Sequence, residues 1–157
     1  MRMIDAAEVR RLLTFPLLVD ALDAAHRRPR MEAQDAFLGT ESALYFVRNA
    51  VDAGRFMASK LITSFPDNPA SGRLPAVQAV VVLFDGRDGR PLATIDGTEL
   101  TYWRTAADSA LGAKLLSRPD PQTMLVVGAG EMAPRLVRAH RAVRPSLARV
   151  LIWNRTA

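Results

Sequence analysis

The chain has 157 residues, 49% of them hydrophobic and 24% charged, with a net charge of +5. That length suits one ordinary core, and no apolar run approaches the ~20 residues of a membrane span. The absence of cysteine removes disulfides, thiolate catalysis and Cys-ligated metal together. The basic residues are scattered, and the densest group, "HRRPR" at 26–30, has no interleaved aromatics, which argues against a nucleic-acid partner. His26 and His140 lie on predicted helices among polar neighbours, so no metal site is expected. The opening "MRMIDAAEVRR" has an early acid and no apolar stretch, unlike a signal peptide. A cytoplasmic protein without a membrane partner is the expectation.

In chain order, residues 1–27 read as two helices. Asp5 and Glu8 make a capping-box pattern before "VRRLL", and Thr14 caps a second helix entered through Pro16. From Arg28 to about Val51 the chain reads as irregular, with one strand at "ALYFV". "RFMASKLITSF" is the next strand and "PDNPASGRLP" a loop. "AVQAVVVLFD" and "PLATID" form a hairpin across "GRDGR". Thr101 is expected to cap the helix "YWRTAADSALGAKLL", and "SRPDPQ" is a linker ending at Thr123. The first 120 residues thus read as an α+β unit with a largely antiparallel sheet.

Bases also carry information by identity: 19 are Arg and only two, Lys60 and Lys114, are Lys. Lys114 reads as a surface residue late in a helix. Lys60 lies inside the apolar "FMASKLITSF", where an ammonium either snorkels to solvent or serves a ligand.

The segment "TMLVVGAGEMAP" changes the pattern. Met124–Val127 is a short apolar run, long enough for one buried parallel strand. Gly128, Gly130 and Ala133 come next in the spacing G-x-G-x-x-A, in which the first glycine makes a tight turn. The second admits the backbone to a pyrophosphate, and the small third residue lets helix pack on strand. A helix from Glu131, with Pro134 in its first turn, leads to the second run "RVLIW". This is the β-α-β opening of a dinucleotide-binding fold. The second strand ends in Asn154, Arg155 and Thr156, with no acid for the ribose hydroxyls of NAD. An amide, a guanidinium and a hydroxyl suit the 2′-phosphate of NADP; the alternative is an exposed polar turn. Nucleotide domains of this kind run to ~100–150 residues, so the chain reads as the front part of a longer protein.

The segments "SKLITSFPDNPASGRLPAVQAVVVLFD", "DGTELTYWRTAADSALGAKLLSRPD", "VVGAGEMA" and "IWNRT" occur in an order that resembles the ornithine cyclodeaminase/mu-crystallin family. The likeness runs from about Pro29 to Ala157, and the two N-terminal helices fit more loosely. It implies an α/β protein: an N-terminal α+β substrate-binding and dimerisation domain over 1–120, then the first β-α-β of a Rossmann domain over 123–157. By resemblance, Lys60 meets a substrate carboxylate, Arg30 is a second carboxylate-binding arginine, and Arg104 stands between substrate and cofactor. Thr105 then contacts the cofactor. Gly128, Gly130, Glu131 and Met132 match the pyrophosphate turn, and Asn154, Arg155 and Thr156 the NADP-binding turn of the mu-crystallin branch. The family's catalytic aspartate would lie beyond residue 157. The implied activity is an NAD(P)H-dependent reductase of cyclic imino acids, such as Δ1-pyrroline-2-carboxylate, preferring NADPH, with NAD also admissible, and acting as a homodimer. Ornithine cyclodeaminase, with recycled NAD, and a non-catalytic nucleotide-binding crystallin-like protein are the alternatives. At the sequence level, Arg104 is expected near a helix start, where the helix dipole also favours anions.

Overall fold

The computed structural model describes residues 1–72 and 74–155. They form β1 (Arg2–Ile4), α1 (Ala6–Leu12), α2 (Phe15–His26), β2 (Glu32–Thr40), β3 (Ala43–Asp52) and β4 (Phe56–Ser64). A 3-10 turn (Asn68–Ser71) leads to β5 (Val77–Asp85), β6 (Pro91–Asp96), α3 (Gly97–Leu116), β7 (Thr123–Val127), α4 (Ala133–Val143) and β8 (Arg149–Trp153). The chain compacts into two units. Unit 1 is Met1–Arg11 with Arg30–Leu100, and unit 2 is Leu12–Pro29 with Thr101–Ala157. The units differ from the expected split near residue 120, because α2 and most of α3 belong with the β7–α4–β8 segment.

Unit 1 is a six-stranded sheet in the order β1-β6-β5-β4-β3-β2. Four of its pairings are antiparallel, and β1 alone joins in parallel, against β6. Two elements depart from the sequence expectation. Residues Arg2–Ile4 are a strand ahead of the first helix, and Glu32–Thr40 is a full strand where irregular chain was expected. Both are edge strands. β2 is exposed along its whole length, so it lacks the apolar alternation by which a half-buried strand is recognised. The expected hairpin across 86–90 is present, with Val80 to Phe84 paired to Asp96 to Pro91.

The start of α3 also corrects the expectation. The helix begins at Gly97, not after Thr101. Its cap is Asp96, whose Oδ1 accepts the Glu99 N–H at 2.8 Å. A Cβ on Gly97 would lie 2.8 Å from the Ala79 carbonyl carbon and 2.9 Å from the Val80 nitrogen. Glycine is there so that the first turn of α3 can lie against β5, rather than to break the chain. Thr98 Oγ1 accepts the Ala79 N–H at 2.9 Å, and Arg10 of α1 reaches Glu99 Oε2 at 3.0 Å.

The capping signals for the first two helices hold. Asp5 Oδ1 accepts the Glu8 N–H at 2.8 Å, and Thr14 Oγ1 the Leu17 N–H at 3.4 Å.

Unit 2 has a core of small side chains. Ala106, Ala107 and Ala110 of α3 and Ala139 of α4 are fully buried, in a cluster with buried Phe15, Val19 and Leu111. Alanine at these positions lets helices approach closely. Phe15 and Trp103 meet with ring centroids 4.5 Å apart. Arg144 closes the far end of α3: its Nη2 donates to the carbonyls of Ala113 (3.2 Å) and Lys114 (2.7 Å). β7 and β8 pair in parallel from Thr123↔Arg149 to Val127↔Trp153, joined through α4. This is the expected β-α-β. Among the described residues no helix is long and apolar enough to cross a membrane.

Candidate functional site

The glycine turn is the best-defined part of the site. Gly128 has φ +109, a conformation that side chains rarely adopt, and its N–H donates to Trp153 O at 2.7 Å. That bond sets the turn against the end of β8, so Gly128 and the Asn154–Arg155 segment are neighbours. A Cβ on Gly130 would meet nothing within 4 Å. The space over the turn is open, as a cradle for a pyrophosphate requires. Ala133, the small third residue of the motif, is buried at the start of α4. Pro134 occupies the first turn, and no acid lies there to repel an anion. The open backbone at Gly130 and the acid-free first turn of α4 therefore fit a dinucleotide.

The other residues of this region divide by what they touch. The Met132 side chain packs against the core cluster of unit 2, so its available contribution to a ligand is its main chain. Glu131 is exposed, and its carboxylate pairs with Arg135 at 3.1 Å. Asn154 and Arg155 are exposed at the end of β8. Thr156 lies outside the described residues.

Arg104 lies in the interior of α3, beyond its first turn, because the helix starts at Gly97. The expected help from the helix dipole is therefore absent, since that effect is confined to the terminal turn. Its partner is a side chain instead: Arg104 Nη1 donates to Asp108 Oδ2 at 3.2 Å. The other oxygen of Asp108 is 3.7 Å from His26 Nε2. Thr105 is exposed next to Arg104, while Ala106 and Ala107 turn into the core. The residues of this helix thus sort by face, with the polar pair outward and the alanines inward.

In unit 1, Lys60 sits at the middle of β4, half-buried, opposite Arg48 of β3 and Val81 of β5. Arg48 in turn lies opposite Asp35 of β2. Directly opposed residues share a sheet face, so Asp35, Arg48 and Lys60 form one row. Asp35 accepts from Arg48 Nε at 2.8 Å and Nη2 at 2.6 Å. These bonds hold the Asp35 carboxyl below the usual carboxylate range and push the guanidinium up. The pairing offsets the positive charge next to Lys60. Arg30 is exposed in the segment before β2.

Two hollows of about 360 and 350 Å3 open in unit 1, and neither is lined by Lys60. The second is lined by Tyr45, Leu61, Thr63, Gln78, Ala79 and Val80. Leu61 and Thr63 alternate with Lys60 and so face the other side of the sheet. The second hollow is thus lined mainly from the face opposite the row of charges.

Three residues absent from the sequence reading join the region: Asp108, Arg135 and Tyr102. Asp108 stands four residues after Arg104 and Arg135 four after Glu131, the spacing at which helical side chains meet. Arg135 also lies over the Tyr102 ring, 4.4 Å from its centroid. That pairing has no local signal.

A sequence profile of the ornithine cyclodeaminase/mu-crystallin family matches residues 21–157. The chain is 44% identical over 137 residues to a Δ1-pyrroline-2-carboxylate reductase of Paracoccus denitrificans, covering 87% of this chain and 43% of that protein. It is 37% identical to the Δ1-pyrroline-2-carboxylate reductase of Colwellia psychrerythraea, covering 100% of this chain and 51% of the relative. Among solved structures, the iminosuccinate reductase of Paracoccus denitrificans in complex with NAD+ superposes with a TM-score of 0.83 at 29% identity. That match covers 99% of this chain and 50% of the other. The chain spans about half the length of the relatives it matches.

Proposed function

Because the chain belongs to the ornithine cyclodeaminase/mu-crystallin family, we propose that the whole protein is an NADPH-dependent reductase of cyclic imino acids of the Δ1-pyrroline-2-carboxylate type. The observation that carries this reading is the glycine turn bonded to the end of β8, with Asn154 and Arg155 next in the chain and no acid between. A cationic, acid-free strand end favours the 2′-phosphate of NADP over the bare ribose of NAD. Bound NADPH supplies the hydride.

The chain's own residues bind and orient. Gly128 and Gly130 admit the pyrophosphate to the backbone, and Arg155 pairs the 2′-phosphate as a charged fork, with Asn154 adding an amide. Thr105 contributes a hydroxyl toward the cofactor. Lys60 attracts the substrate carboxylate as a point charge, and Arg30 adds a planar fork to it. The Asp35–Arg48 pair keeps the field at Lys60 from being raised by a second uncompensated cation. Arg104 orients the imine end; its bond to Asp108 holds it extended along α3. Anchoring a carboxylate beside a C=N bond fixes which carbon is presented for reduction. Residues 1–120 carry substrate binding and dimerisation in this reading, and 123–157 open the nucleotide domain of a homodimer.

Steady-state oxidation of NADPH with Δ1-pyrroline-2-carboxylate by the whole protein tests the proposal. Turnover supports it. Ammonia release from ornithine without net cofactor change selects a cyclodeaminase instead, and nucleotide binding without either selects a crystallin-like binder. Arg155→Ala should weaken NADPH binding by about 1.5–3 kcal/mol, the scale of a lost charged hydrogen bond, and leave NADH nearly unchanged. Equal losses for both cofactors contradict the assigned role of Arg155.

A further inference from the structure

We infer that Arg135 is a positioning residue for the pyrophosphate turn, an inference that rests on the nucleotide-binding reading of Gly128–Met132. Its side chain is only 16% exposed, low for an arginine on a surface helix. Nη1 donates to the Glu131 main-chain oxygen at 2.7 Å and reaches Glu131 Oε2 at 3.1 Å. The guanidinium lies over the Tyr102 ring, 4.4 Å from its centroid, a geometry that stabilises a cation against the ring face. Tyr102 belongs to α3, so the arginine is held from a second element of the same unit.

These contacts act on direction and on charge. The Glu131 carbonyl and the Met132 N–H belong to one planar trans peptide and point opposite ways. Fixing the carbonyl toward Arg135 therefore fixes the Met132 N–H away from it. Met132 is the N-cap of α4 and has no side-chain cap bond; a guanidinium only donates and cannot replace a cap acceptor, so Arg135 orders this end through the Glu131 carbonyl instead. As to charge, Glu131 is the one acid between Gly128 and Pro134, and an unpaired carboxylate there would repel a pyrophosphate. Arg135 offsets that charge by pairing with the Glu131 carboxylate. Glu131 thus takes part in the site through its backbone, with its side chain held by Arg135.

The test uses the whole protein with two readouts: NADPH affinity by calorimetry, and amide exchange at residues 130–132 without ligand. Arg135→Ala should weaken NADPH binding about tenfold or more, the consequence of losing a charged hydrogen bond. It should also speed exchange at 130–132 while the amides of β3–β5 and the KM for the imino acid stay unchanged. Arg135→Lys, which keeps the charge but not the fork, should recover part of the affinity. Glu131→Gln added to Arg135→Ala should recover another part by removing the uncompensated charge. The inference is overturned if Arg135→Ala binds NADPH like the parent, or if exchange at 130–132 does not change. It is also overturned if Arg135→Ala and Arg135→Lys lose affinity equally, in step with a general drop in melting temperature. A parent protein that binds neither NADPH nor NADH overturns the nucleotide reading itself, and the ligand-free exchange then still decides whether Arg135 orders the turn.

Discussion

The sheet of unit 1 and the two strands of unit 2 both contain apolar strands, and they differ in how their edges are bonded. From β3 to β6 every strand is bonded along both edges. Among the described residues, β7 and β8 each have one partner. In β7, Val126 is 5% exposed, while its neighbours Leu125 and Val127 are 61% and 71% exposed. Leu151, Ile152 and Trp153 of β8 are also exposed. A strand with one covered face and one unpaired edge contributes little stability of its own and invites further pairing. Apolar sequence alone therefore does not make a buried strand; bonded edges and covered faces do. The glycine turn lies at the end of the two-stranded sheet, where the Gly128–Trp153 bond and the Arg135–Glu131 contacts hold it.

The largest expected difference is in amide exchange. In the 157-residue chain, amides of β4 and β5 should exchange on the order of a hundredfold more slowly than those of β7 and β8, because local opening tracks local pairing. Equal protection in the two sheets would show that β7 and β8 are as firmly held as the larger sheet. A sharper break comes from the core of unit 2. Ala110→Leu forces three extra heavy atoms into a fully buried site and should cost about 1–3 kcal/mol, read as a lower denaturation midpoint. The same change at exposed Ala36 of β2 should be close to neutral. Similar effects at both positions would remove the distinction between a packed helix interface and an open edge strand.

The smallest effect concerns the β5–β6 turn. The side chain and the N–H of Arg87 both donate to the Asp85 carboxylate, and these bonds hold its carboxyl well below the usual range. A group with a depressed folded pKa adds stability above its unfolded value, about pH 4, and loses it as the pH falls toward the folded value. Asp85→Asn should therefore melt below the parent at neutral pH, and the gap should narrow as pH falls below about 4. A gap that stays constant down to pH 2 would mean that the carboxylate charge is not what orders this turn.

Much of the fold was legible from residue order. Capping pairs at Asp5 and Thr14, the hairpin around 86–90 and the β-α-β of the glycine motif all rest on local patterns, and each is present. The features that escaped depend on distant chain. β1 has three residues, too few for periodicity, and exists by pairing with β6. β2 carries no alternation because neither face is covered. The start of α3 at Gly97, ahead of the expected cap Thr101, depends on a missing Cβ that makes room for Ala79, a contact between distant residues. In the candidate site, Lys60 stood out by its rarity and Arg104 by its motif. Asp108 was open to helix spacing, whereas the Tyr102–Arg135 contact joins residues from two helices and only the fold brings them together.

The most direct test of the proposed activity traces the hydride itself. The whole protein is incubated with Δ1-pyrroline-2-carboxylate and NADPH carrying deuterium at the transferable nicotinamide position, and the product is examined by NMR. The expected product is proline with one deuterium at C2, the former imine carbon, formed in step with NADP+. Proline without deuterium, or no proline while NADPH remains bound and unoxidised, would contradict the proposed reaction.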